Sequence, residues 1–197
     1  MALQIAAQFV SLVQSWREAH RSGGKALSHL ASFIGSIQKP PHKQTPNILK
    51  ELLEEVPTEA LEKYIQNGSK RGASETGWNT AEAVGASFKE LHHTTDICSR
   101  ISKTLEELVD EMSASYKSSL QKDAPMGNLE DIMYSMVVLF EAIQKEMDVM
   151  RRVTEAVQLD TKPSNLRTYC LVWDLEPYLD LNLVEHLSGL IKTGSIQ

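Results

Sequence analysis

Between Leu91 and Ser115, apolar and small side chains recur in an unbroken alternation of three and four residues: Leu91, Thr94, Cys98, Ile101, Leu105, Leu108, Met112 and Ser115. This spacing puts every member on one face of a helix and makes a seam that packs against other helices. The alternation returns downstream as Leu129, Met133, Met136, Phe140, Ile143, Met147, Met150, Thr154 and Val157. Upstream it runs through Ile5, Phe9, Leu12, Trp16, Ala19, Gly23, Ala26, Leu30, Phe33 and Ile37. Three such stripes predict an all-α protein, an elongated antiparallel helical bundle with two long seam helices and short terminal helices. No strand-like alternation of convincing length and no internal repeat interrupts this reading.

Breakers divide the chain into elements of a single helical domain over 1–197. A first helix over 1–38 stops before Lys39-Pro40-Pro41, where proline removes donors and pushes the preceding residue out of the helical region. Its weak point is Ser22-Gly23-Gly24. Two adjacent glycines lose roughly 2 kcal/mol of helix propensity relative to alanine, yet the stripe keeps its phase across them, which predicts a kink or a close helix contact. Thr45-Pro46 has the form of an N-cap with proline at the first helical position, so short helices are expected over 46–66, closed by Asn67-Gly68. The segment 67–79 is polar, with two further glycines and several serines and threonines, and is expected to be a mobile loop. A long helical hairpin follows over 80–159, turning at Asp123-Ala124-Pro125-Met126-Gly127, and Lys162-Pro163-Ser164 introduces C-terminal helices over 164–193. The second arm of the hairpin also carries Ile132, Leu139, Val149 and Val153 beside its seam. That is more apolar circumference than one partner covers, and it marks this arm as the central helix.

Composition narrows the function. With 197 residues and 42% apolar side chains the chain can bury a core, and a formal net charge of -6 with scattered basic residues gives no footprint for a phosphate backbone. Direct nucleic-acid binding is not expected. No stretch approaches the about 18 uncharged apolar residues of a membrane span, so no membrane partner is expected either. Cys98 and Cys170 stand far apart, which fits a reducing compartment and two small core residues. His92-His93 near Cys98 lack the i,i+4 ligand spacing of a zinc helix. Glu106, Glu107, Asp110 and Glu111 read as a solvated face. None of the phosphate-cradling, nucleophile-elbow or zinc-helix motifs occurs. The expectation is a binding protein with no catalytic residue, no cofactor and no metal.

Candidate contact residues come from two patterns. Met133, Met136, Met147 and Met150 are either gap-filling core or an adaptable surface for another helical protein. Trp173 and Tyr178 flank a proline turn near the C-terminus, where they either staple the last helix or anchor a partner, and Trp16 is a further aromatic candidate.

The first helix places Trp16, Ala19, Arg21, Leu27, Ser28 and Leu30 in a W-x-x-A-x-R-x(5)-L-S-x-L register, and Pro46 is followed by Ile48-Leu49-Lys50-Glu51. With the order of elements, the basic pair Arg151-Arg152 and the later Trp173-Asp174, this pattern resembles the AIRIM family of ribosome-maturation factors that accompany AAA+ ATPases of the spermatogenesis-associated class. Trp173-x-x-x-Pro177-Tyr178, with Thr193-Gly194 after the last helix, is closer to the related CINP family of cyclin-dependent-kinase-interacting proteins. The resemblance implies a non-enzymatic adaptor of the cytoplasm and nucleus. It would pair with a CINP-like helical partner, dock on an AAA+ ATPase hexamer and reach the pre-60S ribosomal particle indirectly, with ATP hydrolysis belonging to the ATPase. From the seams alone, a structural coiled-coil subunit of a cytoskeletal, kinetochore or tethering assembly fits equally.

Overall fold

The computed structural model describes residues 2–37, 59–120 and 128–194, with side chains at 2–35, 82–120 and 128–193. All regular structure among these residues is helical. We label the helices α1 (Ala2–Ile37), α2 (Glu59–Leu120), α3 (Leu129–Ala156), α4 (Pro163–Leu175) and α5 (Leu181–Gly194). The turn at 123–127 and the short-helix positions 46–58 lie outside the described residues.

One expectation is overturned. The loop over 67–79 and the helix end at Asn67-Gly68 do not exist: the backbone is helical without interruption from Glu59 to Leu120. No proline falls inside this span, so nothing removes a ladder donor. Once a helix is nucleated, each residue adds a hydrogen bond, and an isolated glycine costs about 1 kcal/mol without breaking the ladder.

Paired side chains fix the topology. Ser22 donates to Glu90 and the Cys98 thiol to the Trp16 carbonyl, so α1 and α2 run antiparallel. Thr95 meets the Thr154 hydroxyl and Gln144 donates to Ser102, so α2 and α3 are antiparallel as well. The α3–α4 connection is tied locally: the Gln158 N–H donates to Thr161 Oγ1, and Pro163 takes the first helical position, where its missing donor is harmless. α1 and α3 each touch every other helix, so the second arm of the hairpin shares the centre with α1, and α4 and α5 cover its surplus apolar face.

Inside the seams the period is as read from sequence and the phase differs. Along α1 the buried line is Ala6, Phe9, Val13, Trp16, His20, Gly23, Leu27, Leu30 and Ile34, while Leu12, Ala19 and Phe33 sit half-buried on its flank. Along α3 it is Ile132, Met136, Leu139, Ile143, Glu146, Met150, Val153 and Val157, with Met133 and Phe140 on the flank. A polar residue at a seam position, His20 in α1 and Glu146 in α3, is skipped when only apolar residues are counted, and the stripe is then drawn one residue aside. Along α2, Leu91, Thr94, Cys98, Leu105, Leu108 and Met112 are buried as expected, with buried Ser102 beside half-buried Ile101.

Candidate partner-binding site

Five of the seven contact candidates belong to the chain's own core. Trp16, Trp173, Met136, Met147 and Met150 are all buried, so none of them presents a surface to a partner. The reason is the packing of α4 and α5 over α1 and α3, which consumes the aromatic and methionine surface that the isolated pattern leaves open. Met133 is half-buried and Tyr178 is 49% exposed. Only these two of the seven retain access to solvent.

Trp173 is where the C-terminal helices are attached. Its indole lies on the backbone of α1 at Gly23 and Gly24, so close that a Cβ at position 23 would stand 2.6 Å from Trp173 Cζ2 and 2.9 Å from Thr94 Oγ1. At position 24 a Cβ would meet Trp173 Cδ1 at 3.2 Å. The close approach foreseen at these glycines is therefore made by an aromatic side chain, while α1 stays helical across them. Trp173 Nε1 donates to the His20 carbonyl at 2.9 Å. The His20 ring is stacked between Trp16 and Trp173, with centroid separations of 5.1 and 5.2 Å.

Around this stack lies a polar cluster that apolar patterning could not reveal. Oε1 of Glu176 is 3.3 Å from His20 Nδ1, and Oε2 is 3.4 Å from Arg17 Nε. Hydrogen bonding from the imidazole, joined by the charge of Arg17, holds the Glu176 carboxyl below the usual carboxylate range against the opposing effect of burial. On α3, Glu146 accepts the backbone N–H of Tyr178 at 2.5 Å. Burial pushes its carboxyl above the usual range despite that hydrogen bond and the nearby His20. The α4–α5 turn is thus gripped from α1 through Glu176 and from α3 through Tyr178.

This cluster orders the turn and has the chemistry of a clamp. Its stacked imidazole is enclosed, and its carboxylates are engaged by Arg17, by the His20 ring and by a backbone N–H. Elsewhere, burial raises the Cys98 thiol to about 12, which removes thiolate character at neutral pH. Burial also raises Cys170, which is half-buried and not the fully buried core residue expected. His92, His93, Glu106, Glu107, Asp110 and Glu111 are exposed, and among the described residues no group of three potential ligands could hold a metal ion.

The accessible contact surface lies on the outer side of α3. Tyr134, Val138, Glu141 and Lys145 follow one another at helical spacing, and Lys145 Nζ sits 6.0 Å from the centre of the Tyr178 ring. Tyr134 is 67% exposed. Exposed Tyr134 on α3, and exposed Tyr178 brought beside Lys145 by the α4–α5 turn, stand among charged residues and have the composition of an interface. Tyr134 was missed because it stands outside the methionine seam, and its signal was its position opposite that seam.

The glycine seat is tested by two substitutions with opposite expected signs. Alanine gains up to about 1 kcal/mol in a helix, and at Gly35 an added Cβ meets nothing within 4 Å, so Gly35→Ala is expected to raise Tm by about 2–4 °C. Gly23→Ala forces overpacking that costs about 1–3 kcal/mol and is expected to lower Tm. Calorimetry showing equal stabilisation by both would disprove the seat. A second expectation concerns Glu146. Because its folded-state pKa is raised, the ionised carboxylate disfavours folding at neutral pH, and that penalty fades as pH falls through the raised value. Glu146→Gln keeps an oxygen for the Tyr178 N–H without the charge. It should therefore melt above the wild type at pH 8, with the gap closing towards pH 4, and a lower Tm at pH 8 would show that the charge stabilises the turn.

Comparisons of the chain with protein-family models, with curated proteins and with solved structures find no match.

Proposed function

We propose that this chain is a non-enzymatic adaptor subunit of an AAA+ ATPase complex, acting in late 60S ribosomal-subunit maturation and protein remodelling in cytoplasm and nucleus. In this reading it pairs with a second helical subunit. The observation that carries the adaptor part is the outer face of α3, where Tyr134 stands exposed and the α4–α5 turn adds exposed Tyr178 beside Lys145, while the opposite face is locked in the core. The α4–α5 turn holds Tyr178 in place before any partner arrives, so little ordering is needed on binding. The ATPase and the pre-60S particle enter through the sequence resemblance of the Trp16–Leu30 register and the order of the elements. ATP turnover remains with the ATPase, and the adaptor acts on it only through different affinities for its conformational states.

Affinity purification of the tagged chain followed by mass spectrometry tests this. An AAA+ ATPase and pre-60S factors are expected with the wild type. Their recovery should drop several-fold for Tyr134→Ala with Tyr178→Ala, a variant expected to keep wild-type circular dichroism because both side chains are largely exposed. Recovery of tubulin, kinetochore or vesicle-tether subunits in their place would overturn the proposal.

A further inference from the structure

The outward face of α4 carries two exposed leucines, has no packing neighbour among the described residues and has an unusual composition. Leu166 and Trp173 mark the side of this helix that faces the core. Opposite them, helical geometry places Ser164, Thr168, Leu171 and Leu175, with Val172 at the edge. Leu171 is 63% and Leu175 70% exposed. No charged residue interrupts this stripe. The Thr168 hydroxyl is turned back to donate to the Ser164 carbonyl at 3.1 Å, so its hydrogen-bonding capacity is met within the helix. A solvated helix face normally carries charges, whereas a face that meets another helix does not.

Two charges flank the stripe on one edge. Arg167 and Asp174 are exposed, opposite in sign and two helical turns apart on the edge of α4 that borders α1, where Asp174 Oδ1 stands beside Gly24, and neither has an ion-pair partner among the described residues. At 1.5 Å rise per residue they stand roughly 10 Å apart along the axis, too far to pair with each other. We propose that this face docks a second copy of the chain, with the two α4 helices antiparallel about a two-fold axis near Leu171.

The charge order selects that occupant. An antiparallel two-fold sets Arg167 of each copy opposite Asp174 of the other, giving two equivalent ion pairs at the rim, whereas a parallel two-fold carries the charged edges of the two copies to opposite sides of the contact, where no ion pair forms. The same operation brings Leu171 against its symmetry mate and Leu175 against the Thr168 of the second copy. With 13 residues, α4 is about 20 Å long. A contact confined to one such helix per copy falls below the roughly 1,200 Å² of a standard stable interface, so the dimer is weak and concentration-dependent. This pairing concerns α4 alone and holds whether or not a heterologous partner occupies Tyr134 and Tyr178.

Sedimentation of the purified full chain, from about 1 µM to about 500 µM to bracket a contact of this size, is the test. The wild-type mass should rise from one copy towards two, and Leu171→Asp, which changes an exposed side chain, should stay monomeric with an unchanged melting curve. Arg167→Asp alone and Asp174→Arg alone set like charges at both rim positions and should each remain monomeric. Mixed in equal amounts they should dimerise, because every rim pair is then opposite in sign. A wild type that stays monomeric throughout, a Leu171→Asp variant that dimerises like it, or a mixture no more associated than its components would overturn the proposal.

Discussion

The arrangement of the C-terminal third depends on one contact, the seating of the Trp173 indole on the bare backbone of Gly23 and Gly24. Truncating a buried tryptophan costs about 3–5 kcal/mol, a large share of a domain stability of about 5–15 kcal/mol. Position 23 admits no side chain without displacing the ring, since even a methyl there would stand 2.6 Å from it, and position 24 is tight, with a methyl 3.2 Å from Trp173 Cδ1. The helix gives up propensity at these glycines, roughly 1 kcal/mol each, and in return Trp173 reaches both the His20 ring and its carbonyl. The same stacking leaves Trp16 Nε1 buried without a hydrogen-bond partner among the described residues, a further expense of about 1–3 kcal/mol that the burial of two indoles outweighs.

The turn after Trp173 is shaped by the polar groups it must satisfy. Glu176 has φ 42° and ψ 57°, the left-handed conformation that normally belongs to glycine at a helix C-terminus and costs a side-chain-bearing residue about 1–2 kcal/mol. Its carboxylate is engaged by Arg17 and His20, and the next turn closes with the Leu179 N–H donating to its carbonyl at 3.2 Å. A side chain fixed at its far end holds the backbone in a conformation that local preference disfavours. Glu146 completes the arrangement from α3 by taking up the Tyr178 N–H, which the turn would otherwise leave without an acceptor inside the bundle. The turn that presents Tyr178 beside α3 is held by the groups beneath it.

The all-α class and the three seams were legible because periodicity needs only the identities of apolar residues. The α2 seam from Leu91 to Met112 was read almost residue for residue, since only small polar residues, Thr94 and Ser102, interrupt its apolar line. In α1 and α3 the phase slipped beside His20 and Glu146, because a buried polar residue is recognised only through partners distant in sequence. Glu146 meets Tyr178 and His20 meets Glu176, and neither pair leaves a local signature. The continuity of α2 through 67–79 was hidden for a different reason: glycines and serines weaken a helix individually, and cooperativity with the residues on either side lets it pass through. The contact residues proved hardest to read. Trp16, Trp173 and three of the methionines look the same in sequence whether the chain or a partner buries them. What separates Trp173 from Tyr178 is the pair Gly23-Gly24, 150 and 149 residues upstream of Trp173, a long-range fact.

The central claim is that Trp173 anchors α4 and α5 to the bundle as a unit. Native-state amide hydrogen exchange resolves this directly, because it reports opening of individual segments. In the wild type, α4 and α5 should share the protection of the α1 seam. In Trp173→Ala, both helices should lose protection together, by roughly 100-fold or more, and more than the α2 amides around Leu105 lose. If α4 and α5 keep their wild-type protection in that variant, the indole is incidental to the fold and the account is wrong.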